Sequence, residues 1–195
     1  QNIINENVGS QDQISAAYGG FNLIEFRQND TFQVSPVILK KERLHELQSH
    51  LMLFFTGFSR IASEIAKSQI ENIGDHEIEL IRMGAMVDEA IQILQNTNSP
   101  INEFGKLLHQ GWQYKRSLSD KVSTPEIDFI YDEALDAGAT GGKVLGAGGG
   151  GFLLLFVKPE LQLQVRERLK KLVHVPFQFE DSGSRVVLYQ PNGLL

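Results

Sequence analysis

Two stretches of the chain are apolar without a break. Leu51-Met52-Leu53-Phe54-Phe55 and Phe152-Leu153-Leu154-Leu155-Phe156-Val157 have strand length and no alternation of polar and apolar positions. That pattern predicts strands buried on both faces. Between them apolar residues recur at helical spacing in four segments. Ile61, Ile65 and Ile70 mark the first, which stops near Gly74. Ile78, Ile81, Met86, Ala90, Ile91 and Leu94 mark the second, ended by Asn96 to Pro100. Ile101, Phe104, Leu107, Leu108 and Trp112 line the third, and Ile127, Ile130, Tyr131, Ala134 and Leu135 the fourth. Thr124-Pro125-Glu126 opens that last helix with a cap and a proline at its first position.

The same reading extends to both ends. Pro159 opens an amphipathic helix with Leu161, Val165, Leu169 and Leu172 inward and Arg166, Arg168, Lys170 and Lys171 outward. The segments 175–179 and 185–189 alternate around Asp181-Ser182-Gly183-Ser184 and predict a hairpin. Near the start, Ser10 is a candidate N-cap with Gln13 at the capping-box position, and Gly19 or Gly20 a helix stop. The segments 21–26 and 31–34 predict two strands joined by Gln28-Asn29-Asp30, and Leu39 to Glu46 a connector or short helix. From His50 onward the order is strand, helices, strand, helix, two strands. It predicts an α+β fold in which helices cover an antiparallel sheet.

Eight of the 18 glycines fall between Gly138 and Gly151. Glycine loses the most backbone entropy on folding, so such a run is costly unless its conformation is used. It sits between a predicted helix and a predicted buried strand, which reads as helix, glycine loop, strand. Bare amides of this kind can form an anion-binding concavity. No Gly-Lys-Ser/Thr completes a Walker A loop, and the order is the reverse of a dinucleotide fingerprint, where strand precedes loop and helix.

The run Gly138-Ala139-Thr140-Gly141-Gly142-Lys143-Val144-Leu145-Gly146-Ala147-Gly148-Gly149-Gly150-Gly151-Phe152 closely resembles the C-terminal glycine-rich motif of the GHMP small-molecule kinases. The resemblance implies the ferredoxin-like C-terminal domain of that fold over residues 46–195, with 1–45 the end of an N-terminal domain. It places Gly146, Ala147, Gly148, Gly149 and Gly150 beside the nucleotide. Gly9-Ser10-Gln11-Asp12-Gln13, with Gly19-Gly20 after it, resembles the segment of the family's sugar kinases that carries the catalytic aspartate. That implies Asp12 as catalytic residue and Gly19 and Gly20 at the substrate. Thr56-Gly57-Phe58-Ser59-Arg60 resembles the heptose-phosphate and fucose kinase branch, implying Thr56, Gly57 and Arg60 as substrate contacts. A plain cap at Thr56 and an Arg60–Glu64 ion pair are the structural alternatives. Lys115-Arg116-Ser117-Leu118-Ser119 also matches that branch, although as a short basic stretch it is expected to be solvated. His109 is expected to be an ordinary packing or surface histidine.

The implied activity is transfer of the γ-phosphate of ATP, with Mg²⁺, to a hydroxyl of a sugar or sugar phosphate, with heptose 7-phosphate the first choice. Alternatives that stay open are a non-catalytic sugar-binding module and another GHMP enzyme such as a galactokinase, fucokinase or mevalonate-type kinase. The family's Pro-x-x-x-Gly-Leu-x-Ser-Ser-Ala phosphate loop is not in the sequence. With Gln1 in place of a methionine, the chain reads as a fragment, expected to be inactive alone.

Composition narrows the partners. A net charge of −6 and a pI near 5.4 disfavour nucleic acid. With no cysteine there is no disulfide or thiolate metal site, and no metal site is expected from the histidine spacing. Apolar runs of about half a dozen residues are too short to span a bilayer. A cytoplasmic protein without a membrane partner is the expectation, with a homodimer left open.

Overall fold

The computed structural model describes residues 9–58 and 62–189. They divide into two compact units: one of residues 39–177, the other of Gly9–Ile38 with the described residues from Gln178 on.

In the larger unit, β3 (Leu51–Phe55) is flanked by β5 (Phe152–Val157) and the short β6 (Val173–His174), and β4 (Ala139–Val144) pairs with β5. All pairings are antiparallel and the order is β4-β5-β3-β6. The helices are α2 (Lys41–His50), α3 (Ala62–Glu71), α4 (Glu77–Gln95), α5 (Asn102–Ser117), α6 (Pro125–Asp136) and α7 (Gln162–Arg168). The α+β expectation is met. Among the described residues no helix is long and apolar enough to cross a membrane.

Both unbroken apolar runs became neighbouring strands. Met52 and Phe54 of β3, with Leu153, Leu155 and Val157 of β5, point into the main core. There they join Ile127, Tyr131 and Ala134 of α6 and Val165 of α7, each essentially solvent-free. Thr124 caps α6 by accepting a hydrogen bond from the Ile127 amide, with Pro125 at the first position. On the opposite sheet face Phe156 lies under α5 and stacks on His50 with ring centroids 5.0 Å apart. Further along that face Phe55, Phe152 and Val173 are partly open to solvent.

Three expectations are corrected. The first is that residues 139–144, read as part of a loop, form β4. Its sequence has little strand propensity, and glycine is retained there for steric reasons: a Cβ on Gly141 would sit 2.1 Å from the Gly105 carbonyl oxygen of α5. The second is that segments 175–179 and 185–189 form no hairpin. Val175 N–H instead donates to Leu53 O at 2.8 Å, extending the edge beyond β6. The polar stretch 39–46, expected as a connector or short helix, is mostly helix and contains a buried residue. The Arg43 guanidinium, 3% exposed, donates to Ile93 O at 2.6 Å and Ser99 O at 2.8 Å, satisfying one carbonyl in the last turn of α4 and one in the loop after it. The third correction, to the basic stretch 115–119, belongs to the site.

The smaller unit holds α1 (Gln11–Tyr18) and the antiparallel pair β1 (Asn22–Phe26) and β2 (Phe32–Pro36). Ser10 stands at the N-cap position, but its side chain makes no capping bond. The Ser184 amide donates to Ala16 O at 3.0 Å, so residues read as a hairpin turn instead satisfy carbonyls at the end of α1. Phe26 and Phe32 are a cross-strand pair, 56% and 45% exposed. A two-stranded ribbon carrying exposed aromatics, whose outer edges pair with no further described strand, invites pairing with another chain. The 195-residue chain is therefore expected to self-associate, and Phe26→Ser with Phe32→Ser to reduce this in multi-angle light scattering. A wild-type chain that stays monodisperse at high concentration would contradict it.

Candidate functional site

The residues between β4 and β5 form a loop in which Gly146, Gly148, Gly149, Gly150 and Gly151 all have positive φ. Such dihedrals are strained for any residue bearing a Cβ. Space is closed as well at Gly148 and Gly150, though not at Gly146 or Gly151. At Gly148 a Cβ would lie 2.5 Å from Val122 O, a backbone atom that cannot swing aside.

The loop is held from four directions within its unit. Gly149 N–H donates to Val122 O, in the α5–α6 linker, and Gly151 N–H to Phe58 O, both at 2.8 Å. Gly151 O accepts from the Thr56 amide at 2.8 Å and from its hydroxyl at 3.0 Å. The Gln69 side-chain amide donates to Ala147 O at 2.9 Å, and the Lys115 ammonium donates to Gly146 O. A further set of bonds fixes those clamps. Ser68 and Ser119 share a 2.6 Å hydroxyl contact, and Asn72 donates to Leu118 O at 2.9 Å, docking α3 on the linker. Arg116 pairs with Asp128 at 2.9 Å, and Ser123 donates to the same carboxylate.

The stretch 115–119 is thus not a solvated basic patch. Lys115 bonds to the loop, Arg116 pairs with Asp128 of α6 and Ser119 is buried against Ser68 of α3, while Ser117 stays exposed and donates to Tyr114 O of its own helix. His109 is a packing residue as expected: its Nδ1 lies 2.8 Å from the Tyr131 hydroxyl, which also reaches Gly142 O at 3.4 Å. Burial pushes the Tyr131 phenol well above its ordinary range, so it serves as a neutral hydrogen-bonding group.

The predicted site residues fall into two groups. Thr56, Gly57 and the 146–150 loop come together in the larger unit, Thr56 buried and Gly57 exposed with φ of +79°. Asp12, Gly19 and Gly20 lie in the smaller unit. Asp12 is an exposed acid in the first turn of α1, Gly19 ends that helix with φ of +63°, and Gly20 N–H donates to Glu180 O at 2.9 Å. Arg60 lies outside the described residues. Gln69 and the Val122 carbonyl were not singled out in the sequence: Gln69 is one polar residue on a helix, and a backbone acceptor has no sequence signature. No group of three His, Asp or Glu side chains suited to a metal ion occurs among the described residues.

With the loop in view, the comparison with known proteins is decisive: the family model described as GHMP kinases C terminal matches residues 93–175, from the end of α4 to just past β6. The chain carries the C-terminal domain of the GHMP kinase family. The D-glycero-α-D-manno-heptose 7-phosphate kinase of Campylobacter jejuni is 35% identical over 164 residues, covering 84% of this chain and 48% of the relative. The bifunctional fucokinase/GDP-fucose pyrophosphorylase of Arabidopsis thaliana is 27% identical over 173 residues, 84% of this chain and 16% of its own. Among solved structures, a D-glycero-D-manno-heptose 1-phosphate kinase from Bacteroides thetaiotaomicron matches with a TM-score of 0.57. Its identity is 30%, and the match covers 90% of this chain and 47% of that one. The mevalonate kinase of L. major, with a TM-score of 0.66 at 19% identity, shares the GHMP fold. The chain spans about half the length of the Campylobacter relative and a smaller share of the Arabidopsis one.

Proposed function

We propose that the chain is the C-terminal half of an ATP- and Mg²⁺-dependent sugar kinase that acts on a heptose 7-phosphate in the cytoplasm. The observation that carries this reading is the glycine loop. Five positive-φ glycines are locked by Gln69, Lys115, Thr56 and Val122, in a chain 35% identical to a heptose 7-phosphate kinase over 84% of its length. In the same reading residues 1–45 end the N-terminal domain and 46–195 form the C-terminal one.

Asp12 takes or orients the proton of the attacking sugar hydroxyl. Gly19, Gly20, Thr56, Gly57 and Arg60 line the sugar side, with Arg60 suited to a substrate phosphate because a guanidinium can bind two phosphate oxygens at once. Gly146 to Gly150 lie on the nucleotide side. The residues present fit a phosphate edge: the Gly148 and Gly150 amides donate to no described residue, and Lys115 adds positive charge beside them. They do not make a full cradle, which phosphoryl transfer needs in order to hold phosphates and metal in line with the attacking oxygen. Bound Mg-ATP supplies the transferable phosphoryl group and neutralises charge developing on it. The longer protein supplies the rest of that cradle.

An ATP-consumption screen of the longer protein over heptose phosphates, free sugars, homoserine and mevalonate tests the reading. Turnover is expected with a heptose 7-phosphate and at most weakly with the others. Turnover confined to homoserine or mevalonate would overturn it.

A further inference from the structure

We infer that Gln69 and Lys115 are positioning residues that aim two consecutive glycine-loop amides at the anionic ligand. The argument rests on the kinase reading for the ligand's identity, but on peptide geometry for the aim. In a planar trans peptide the C=O and the following N–H point in opposite directions, and no described peptide bond is cis. The Ala147 carbonyl, held by Gln69 at 2.9 Å, shares its peptide plane with the Gly148 amide. The Gly146 carbonyl, held by Lys115, shares its plane with the Ala147 amide. Fixing those two carbonyls turns the Ala147 N–H away from Lys115 on α5 and the Gly148 N–H away from Gln69 on α3. The next pair runs the other way: Gly149 and Gly151 direct their amides inward, to Val122 O and Phe58 O.

The loop is therefore divided. The Gly149 and Gly151 amides anchor it, and the Ala147 and Gly148 amides are left as successive donors, the arrangement that makes a backbone anion nest. Neither of the latter two donates to a described residue. Gln69 is itself held in register, because Ser68 on the same helix and Asn72 just past its end bond to Ser119 and to Leu118 O. Gln69 is uncharged, so it adds no Coulomb attraction of its own to the effect passed through the loop. Lys115 combines the same aiming with a positive charge.

Two measurements on Gln69→Leu, Lys115→Met and Lys115→Arg test the inference. In the 195-residue chain, amide hydrogen exchange of a peptide covering residues 145–152 is expected to rise about tenfold in Gln69→Leu and Lys115→Met, each having lost one hydrogen bond. Peptides from β3 should be unchanged. In the longer protein the dissociation constant and KM for Mg-ATP should rise about tenfold in Gln69→Leu and roughly 10–100-fold in Lys115→Met, with the sugar KM unaltered. Lys115→Arg should recover most of the loss. A loop that exchanges as in wild type, or one that loosens while ATP affinity stays the same, overturns the inference. So does an equal rise in the sugar KM, which would mark a general structural role. A wild-type protein that phosphorylates no sugar, yet binds ATP more tightly than Gln69→Leu, would overturn the sugar-kinase reading and leave the positioning role standing. One that binds no ATP would overturn both.

Discussion

Replacing Asp12 by Asn in the longer protein is expected to lower kcat by roughly 10²–10⁴-fold while KM for the sugar moves little. The substitution keeps the shape and hydrogen-bonding reach of the side chain and removes only its capacity to accept a proton. Asp12 is well placed for such a test because it is exposed in the first turn of α1, and its replacement disturbs no core packing. The local scaffold does not depend on it either. The end of α1 is held by backbone bonds from Gly19 to Ser15 O and from Ser184 to Ala16 O. A loss of activity with an unchanged circular dichroism spectrum would therefore report chemistry. Near-normal kcat in steady-state assays would reduce Asp12 to an ordinary acid at a helix start.

The second large effect is on stability. Gly141→Val is expected to destabilise the 39–177 unit by at least about 3 kcal/mol, the upper end of the usual overpacking range. The new Cβ would lie 2.1 Å from Gly105 O and 2.8 Å from the His109 amide nitrogen. Both are backbone atoms of α5, so no rotamer change relieves the clash and the helix must lift from β4. The contact is tight from the helix side too, since a Cβ on Gly105 would meet the Phe156 ring at 2.5 Å. A small domain has only about 5–15 kcal/mol in total, so the variant should unfold at much lower urea. Gly84→Ala is the contrast. Gly84 lies inside α4 with open space around its Cβ position, and the change should stabilise by up to about 1 kcal/mol. If both variants unfolded at the wild-type midpoint, the close approach of α5 to β4 would not be what keeps Gly141 a glycine.

The same two glycine clusters show where reading the chain stops. Their existence was plain, and the resemblance it carried to the GHMP kinases agrees with the family match to residues 93–175. Their uses were not separable, because glycine has no side chain to signal whether it serves φ, space or a ligand. Gly141 and Gly142 turned out to be strand residues beside a helix, whereas Gly146 to Gly151 form the loop proper. A similar ambiguity affected residues 175–189. Alternation there fitted a hairpin, but it records only which side chains could share a face, not which backbone is nearest. Leu53 and the end of α1 were nearer.

By itself the sequence determined the strong periodicities: the two apolar runs that became β3 and β5, the helices from α3 to α6, and the caps at Thr124 and Gly19. Each depends on contacts within a few residues or on burial of an entire run, so the information is local. Tertiary structure alone decided which polar residues hold the loop. Gln69, Lys115 and Val122 lie 78, 31 and 27 positions from their loop partners (147 − 69, 146 − 115 and 149 − 122), and their hydrogen bonds exist only once α3 and the α5–α6 linker have packed against the sheet. A single polar side chain on a helix looks the same in sequence whether it faces water or a buried carbonyl, because what distinguishes the two is desolvation, a property of the folded surroundings.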